Sequence, residues 1–161
     1  MDDKETQILS VLVENKSGVL ARIAGLFSGR GFNIASLTVG ETVDPEVSRM
    51  TIVVEADKRT LEQAVKQLRK LIVTIKVEDF SDREYVSSEL LVTKVTAPPA
   101  RRGEVLEIAD IFNGKVVDID QNTVTIRFVG EEDLINDALE MLEPYGVKET
   151  ARTGSAALAR A

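Results

Sequence analysis

The residues best placed to do chemistry lie in Glu14-Asn15-Lys16-Ser17-Gly18-Val19-Leu20. An alternating apolar run (Ile8, Leu9, Val11, Leu12, Val13) precedes them and an amphipathic one (Val19, Leu20, Ile23, Ala24, Phe27) follows. That is the pattern of a strand, a tight polar turn and a helix beginning at Gly18. Ser17 is the expected N-cap, its hydroxyl accepting from a free amide of the first helical turn. The remaining amides at a helix start point outward with partial positive charge and suit a carboxylate or phosphate. Gly18 has no side chain to exclude such a ligand, and Asn15 supplies a donor and an acceptor nearby. Taken locally, the stretch is first a capped turn without a ligand and second an anion site.

Composition narrows the chemistry. The chain has 161 residues, 43% hydrophobic and 29% charged, enough for one domain or two small ones with a true core. A net charge of −7 argues against nucleic-acid binding, which needs clustered positive charge. No apolar run approaches the length of about 20 residues that spans a bilayer. The start, Met1-Asp2-Asp3-Lys4-Glu5, is acidic and lacks the apolar core of a signal peptide, so a cytoplasmic location is expected. The chain has no cysteine, hence no thiolate nucleophile, disulfide or cysteine-held metal. It has no histidine either, which removes the usual general base and the commonest transition-metal ligand. Carboxylate or lysine catalysis stays open, but an independent enzyme is the weaker reading.

The elements that would position the turn follow in order. A strand over Gln7 to Val13 leads into a helix ending near Arg30, where Gly29 and Gly31 flank the expected left-handed terminus. Gly29-Arg30-Gly31 is no dinucleotide fingerprint, because those glycines open a helix and these close one. Asn33 to Glu41 is extended, Thr42 to Glu46 is a polar connection, and Ser48 to Glu55 alternates as a strand. Asp57 caps a helix from Lys58 to Lys70, and Leu71 to Phe80 supplies a fourth strand. The order β-α-β-β-α-β is the ferredoxin-like arrangement. It returns after a polar stretch: strand Glu89 to Thr96, helix Arg102 to Phe112, a hairpin about Gln121-Asn122, helix Glu131 to Leu142, strand Tyr145 to Thr150. The expected fold is thus α+β, two successive βαββαβ units. Boundaries fall at 1–80, a linker at 81–88, a second unit at 89–151, and a small, basic, loosely ordered tail at 152–161. Asp118 and Asp120 read as a solvated hairpin edge before a metal pair, Glu131-Glu132-Asp133 as a helix-start cluster, and Arg101-Arg102 as an exposed run. Small sheets of this kind often pair edges between chains, which would bring the Gly18 turn near a partner's second strand at Asn33.

The stretch Ile8 to Leu20 resembles the opening of an ACT domain. Together with Gly25-Leu26-Phe27-Ser28-Gly29-Arg30-Gly31-Phe32-Asn33-Ile34, Ser36-Leu37-Thr38-Val39 and Ser48-Arg49-Met50-Thr51-Ile52 it resembles the small regulatory subunits of acetolactate (acetohydroxyacid) synthase. Glu62-Gln63 and Gln67-Leu68-Arg69-Lys70-Leu71 continue the likeness in the second helix. Glu89-Leu90, Ile111 to Asp118 and Ala151-Arg152-Thr153-Gly154 carry it through the second half. The resemblance implies an ACT domain in the first unit and a non-catalytic subunit with no cofactor of its own. Its implied partner is a large catalytic subunit using thiamine diphosphate, Mg²⁺ and FAD to condense pyruvate with a second 2-oxoacid in branched-chain amino-acid biosynthesis. The small subunit activates that partner and confers feedback inhibition by valine bound at a homodimer interface. By matching position, Asn15, Gly18, Val19 and Leu20 would come from one chain, and Asn33 and Ile34 from the other. The amides after Ser17 would meet the ligand carboxylate, with Val19, Leu20 and Ile34 around its side chain. Such a pocket separates ligands differing by a methylene by only about 1–3 kcal/mol, so leucine and isoleucine remain candidates beside valine. The alternative is a free-standing ACT-domain sensor controlling another enzyme.

Overall fold

Alternation along the strands and three-to-four spacing along the helices build each half around one buried layer. The computed structural model describes residues 5–30 and 32–161. It divides into two units, Met1–Val86 with Gly154–Ala161, and Ser87–Thr153. The first contains β1 (Glu5–Glu14), α1 (Val19–Ser28), β2 (Asn33–Glu41), β3 (Val47–Ala56), α2 (Lys58–Lys70) and β4 (Thr74–Asp79). The strands lie in the antiparallel order β2-β3-β1-β4. Leu9, Val11 and Val13 of β1 and Met50, Ile52 and Val54 of β3 are buried on one face. There they meet Val19, Ile23 and Phe27 of α1 and Leu61, Val65 and Leu68 of α2. Truncating such a fully enclosed ring as Phe27 costs about 3–5 kcal/mol.

The second unit repeats the plan. It has β5 (Tyr85–Thr96), α3 (Arg102–Ile111), β6 (Lys115–Ile119), β7 (Thr123–Gly130), α4 (Glu132–Leu142) and β8 (Val147–Arg152), with sheet order β6-β7-β5-β8. Leu91, Val95, Val124, Ile126 and Phe128 of this sheet bury against Val105, Ile108, Ile135 and Leu142 of the helices. The α+β fold of two ferredoxin-like units is therefore as the periodicity predicts. Among the described residues no helix is long and apolar enough to cross a membrane.

Three local expectations change. The left-handed terminus of α1 is not at Gly29, whose φ is −67° and whose N–H returns to Gly25 O; Gly31 lies outside the described residues. The expected linker is short, because β5 already begins at Tyr85, whose ring stacks on Phe80 at 5.7 Å. The tail is not loose. Beyond Arg152 the chain forms β9 (Ala156–Ala159) and joins the first unit. The physical reason is the face of the first sheet opposite its helices, where Ser10, Thr51 and Arg49 alternate with Ile8, Leu12 and the buried Val53. Arg49 Nη1 donates there to Ser10 Oγ at 2.6 Å and stands 3.9 Å from Glu78, which Lys76 (3.0 Å) and Arg83 (3.5 Å) also approach. The returning segment uses its small residues to come close: Ala157 N–H donates to Thr51 Oγ1 at 3.4 Å, and Arg160 N–H to Glu84 O at 2.9 Å. A Cβ on Gly154 would fall 2.7 Å from Thr38 Oγ1 and 3.0 Å from Ser36. Gly154→Ala should therefore release the segment: amide exchange at Ala157 should accelerate while Leu9 and Val11 keep their protection.

Asp57 caps α2 as expected, accepting from Thr60 N (2.9 Å) and Thr60 Oγ1 (2.5 Å). Those bonds, the hydroxyl's first, hold its pKa below the ordinary 3.8. Glu78 is held below 4.5, chiefly by the Lys76 ammonium and against the effect of its own burial. Carboxyls with depressed folded-state pKa values stabilise fully above their unfolded values and lose that contribution as pH falls through the folded ones. With no histidine in the chain, the thermal midpoint should stay flat between about pH 6 and 8. It should fall below pH 4.5, and less steeply in Asp57→Asn, as measured by calorimetry across a pH series.

Candidate functional site

The Asn15–Leu20 turn is built differently from its local pattern. Ser17 makes no capping bond; Gly18 takes the cap position with φ 83° and ψ −7°, in the left-handed region. A left-handed residue reverses the chain without a side-chain cap, and glycine alone adopts it freely. The first intrahelical bond is Arg22 N–H to Gly18 O at 3.1 Å, and Val19 N–H reaches Lys16 O at 3.4 Å. The N–H groups of Leu20 and Ala21 meet no acceptor among the described residues. A Cβ at Gly18 would find nothing within 4 Å, so the space beside Gly18 is open.

Asn15 is held through both its side-chain amide and its backbone. Its Nδ2 donates to Pro45 O at 2.8 Å and to Glu41 Oε1 at 3.1 Å, and its backbone N–H donates to Glu46 O at 2.7 Å. Its Oδ1 is left as an acceptor. Asn33 shows the same division: Nδ2 donates to Glu55 Oε2 at 3.2 Å, leaving Oδ1 outward. Free N–H donors at the turn and carbonyl oxygens on two asparagines are the groups that suit, respectively, the carboxylate and the ammonium of an amino acid.

These groups do not form one site within a chain. β1 ends with Glu14 opposite Val47, whereas Asn33 pairs with Glu55. The span of β3 from Val47 to Glu55 is roughly 25 Å at about 3.3 Å per residue. The turn and Asn33 thus stand at opposite ends of the sheet.

The expected aliphatic lining also changes. Val19 is 5% exposed and belongs to the core with Ile23 and Phe27, so its side chain holds α1 and only its backbone is available. Leu20, 46% exposed, and the partly buried Ile34 remain. Glu41 and Pro45, which orient Asn15, escaped the sequence reading. Asp44-Pro45 marks a turn, but nothing local says which side chain that turn will receive.

Elsewhere, Arg102 is no exposed run. Its Nη2 donates to Asp120 O (2.8 Å) and Gln121 O (2.7 Å) and its Nε to Ala97 O (3.3 Å), so it joins the entrance of α3 to the β6–β7 hairpin. Arg101 lies 4.3 Å over the Tyr145 ring, whose hydroxyl donates to Glu104 Oε2 at 2.9 Å. That carboxylate pushes the phenol pKa up. Asp120 Oδ1 accepts from Gln121 N–H within the hairpin, and Asp118 pairs with Thr125 on an exposed edge.

Comparison with known proteins separates an amino-acid site on a general fold from one in a defined family. Residues 9–76 match the model of the AHAS small subunit-like ACT domain, and residues 88–161 that of the small subunit of acetolactate synthase. A probable acetolactate synthase small subunit of Archaeoglobus fulgidus is 50% identical over 152 residues, 94% of this chain and 95% of that one. The chain belongs to the acetolactate synthase small-subunit family. The small subunit of Aquifex aeolicus is 53% identical over 95% of this chain and 80% of its own. The crystal structure of the Thermotoga maritima small subunit superposes with a TM-score of 0.89 at 35% identity, covering 97% and 98% of the two chains. The first unit of this small subunit is thus an ACT domain.

The positive φ at Gly18 gives a test of the turn that needs no ligand. Gly18→Ala meets no clash but must bear left-handed backbone, at about 1–2 kcal/mol. Gly18→Asn, whose side chain tolerates that region, should recover most of the loss in urea unfolding.

Proposed function

We propose that this chain is the regulatory subunit of an acetolactate synthase in branched-chain amino-acid biosynthesis, binding valine at a site shared by two copies of its ACT domain. The observation that carries the reading is the placement of Asn15 and Asn33 at opposite ends of one sheet, which a second copy alone can reconcile. β2 is an edge strand, and Leu20 and Val39 expose apolar area on α1 and β2. Antiparallel pairing of two β2 strands centred on Leu37 sets Asn33 of one copy opposite Glu41 of the other. Glu41 is the residue that Asn15 already contacts, at 3.1 Å. In that arrangement the N–H groups of Leu20 and Ala21 donate to the valine carboxylate, and Oδ1 of Asn15 and of the second copy's Asn33 accept from its ammonium. Leu20 and the second copy's Ile34 enclose the isopropyl group.

The chemistry belongs to the large catalytic subunit, which would carry thiamine diphosphate, Mg²⁺ and FAD. This chain raises that subunit's activity and, with valine bound, lowers it. A free-standing sensor of another amino acid is the weaker reading, because the likeness to small subunits of this enzyme continues through the second unit.

Calorimetry with valine on the purified chain should give binding heat that weakens as dilution dissociates the dimer. Absence of heat and of any thermal shift at concentrations that inhibit the holoenzyme would sink the proposal. Gly18→Asp, which sets a negative charge where the carboxylate docks, should abolish inhibition and leave activation in place.

A further inference from the structure

The end of the first unit that carries the Asn15 turn also carries its most exposed aliphatic side chains. Val43, in the loop joining β2 to β3, is completely exposed, and Ile72, between α2 and β4, is 91% exposed. Neither loop is slack. Thr42 Oγ1 accepts from Asp44 N–H at 3.1 Å and donates to Asp44 O at 3.0 Å, Asp44 Oδ1 accepts from Glu46 N–H at 2.9 Å, and Thr42 N–H reaches Val47 O. Thr74 N–H closes the other turn on Leu71 O at 3.0 Å. A large apolar side chain held out by a rigid loop is a preorganised anchor, since little ordering remains to oppose its burial in a partner.

Both anchors connect directly to the effector turn. Asn15 bonds Pro45 O and Glu46 O in the Val43 loop, and Glu14 N–H bonds Val73 O beside Ile72 at 2.9 Å. Two to three strand spacings of about 4.8 Å put the anchors roughly 10–15 Å apart, with Asn15 between them. Charge changes across this rim. Carboxylates Glu41, Asp44 and Glu46 surround Val43, whereas Arg69 and Lys70, at the end of α2, precede Ile72.

We infer that this rim is the surface that docks on the large catalytic subunit, with Val43 and Ile72 as its apolar anchors. The inference rests on the regulatory reading above and names the surface through which that regulation acts. The occupant is the large subunit because the relatives are small subunits of a larger enzyme and because the same loops hold the effector turn. The partner patch has two apolar pockets, basic beside the one for Val43 and acidic beside the one for Ile72, which fixes the docking direction.

The test titrates purified large subunit, loaded with its cofactors, with the full chain and with Val43→Asp, Ile72→Asp and a control, Val117→Asp on β6. Each of the first two should raise the concentration for half-maximal activation at least ten-fold and reduce co-sedimentation to match. The milder Val43→Ser and Ile72→Ser should move it in the same direction. Melting midpoint, oligomeric state and valine heat should stay as in the parent chain, because neither residue packs in the core or contacts the effector turn through its side chain. Unchanged half-activation in the first two variants would overturn the inference. So would a loss confined to Val117→Asp, or one explained by altered self-association. Valine heat is measured separately, so a missing effector site and a misplaced docking surface give different results.

Discussion

β3 is paired on both sides, to β1 over Glu5–Glu14 and to β2 over Asn33–Glu41. Every functional placement in the first unit depends on that double register. It sets the strand ends, so that the turn after β1 meets the loop between β2 and β3, while the start of β2 is carried to the far end. A shift of a single residue would turn Leu9, Met50 and Ile52 out of the core, so the core itself enforces the register. The register thereby keeps Asn15 and Asn33 at opposite ends of the sheet within one chain.

The elements and their order were legible because their apolar spacing is strong: β3 alternates cleanly and α2 repeats Leu61, Val65 and Leu68. The unpartnered amides of the turn were legible as well, since a strand-to-helix turn with glycine leaves amides free whatever the cap. The means of making the turn was not. Ser17 before Gly18 reads as a side-chain cap, but a left-handed glycine achieves the same reversal, and local sequence does not distinguish the two. Val19 shows a second kind of miss. Its neighbours mark it as ligand-proximal, yet its position one turn before Ile23 commits its side chain to the core.

Arg102 and the C-terminal strand were misread for a shared reason. Each is defined by partners distant in sequence, and each looks locally like solvated polar chain. Arg102 finds carbonyls on the β6–β7 hairpin; Ala157 finds a hydroxyl on β3. The first sheet packs its helices on the face of Leu9, Val11, Met50 and Ile52, and its other face is mixed, carrying Ser10, Arg49, Thr51 and Glu78 beside Ile8, Leu12 and the buried Val53. A strand of small residues, itself paired to β5, can approach such a face closely. Residues that look featureless at the end of the sequence, Gly154 and Ala157 among them, are the ones small enough to approach it.

The size of the regulatory effect available to this design follows from its hydrogen bonds. A ligand shifts an equilibrium only by its difference in affinity for the two states, and typical couplings amount to about 1–3 kcal/mol. A protein hydrogen bond contributes about 0.5–1.5 kcal/mol net. Asn15 makes bonds to Pro45 and Glu46 and lies next to the Glu14–Val73 bond, so loosening or tightening one or two of them spans that range. No large movement is needed. A turn bonded to both flanking loops through Glu14 and Asn15 can alter those loops by fractions of an ångström. Two rigidly mounted aliphatic side chains are well suited to register a displacement of that scale, because a close-packed contact loses much of its attraction over so small a gap.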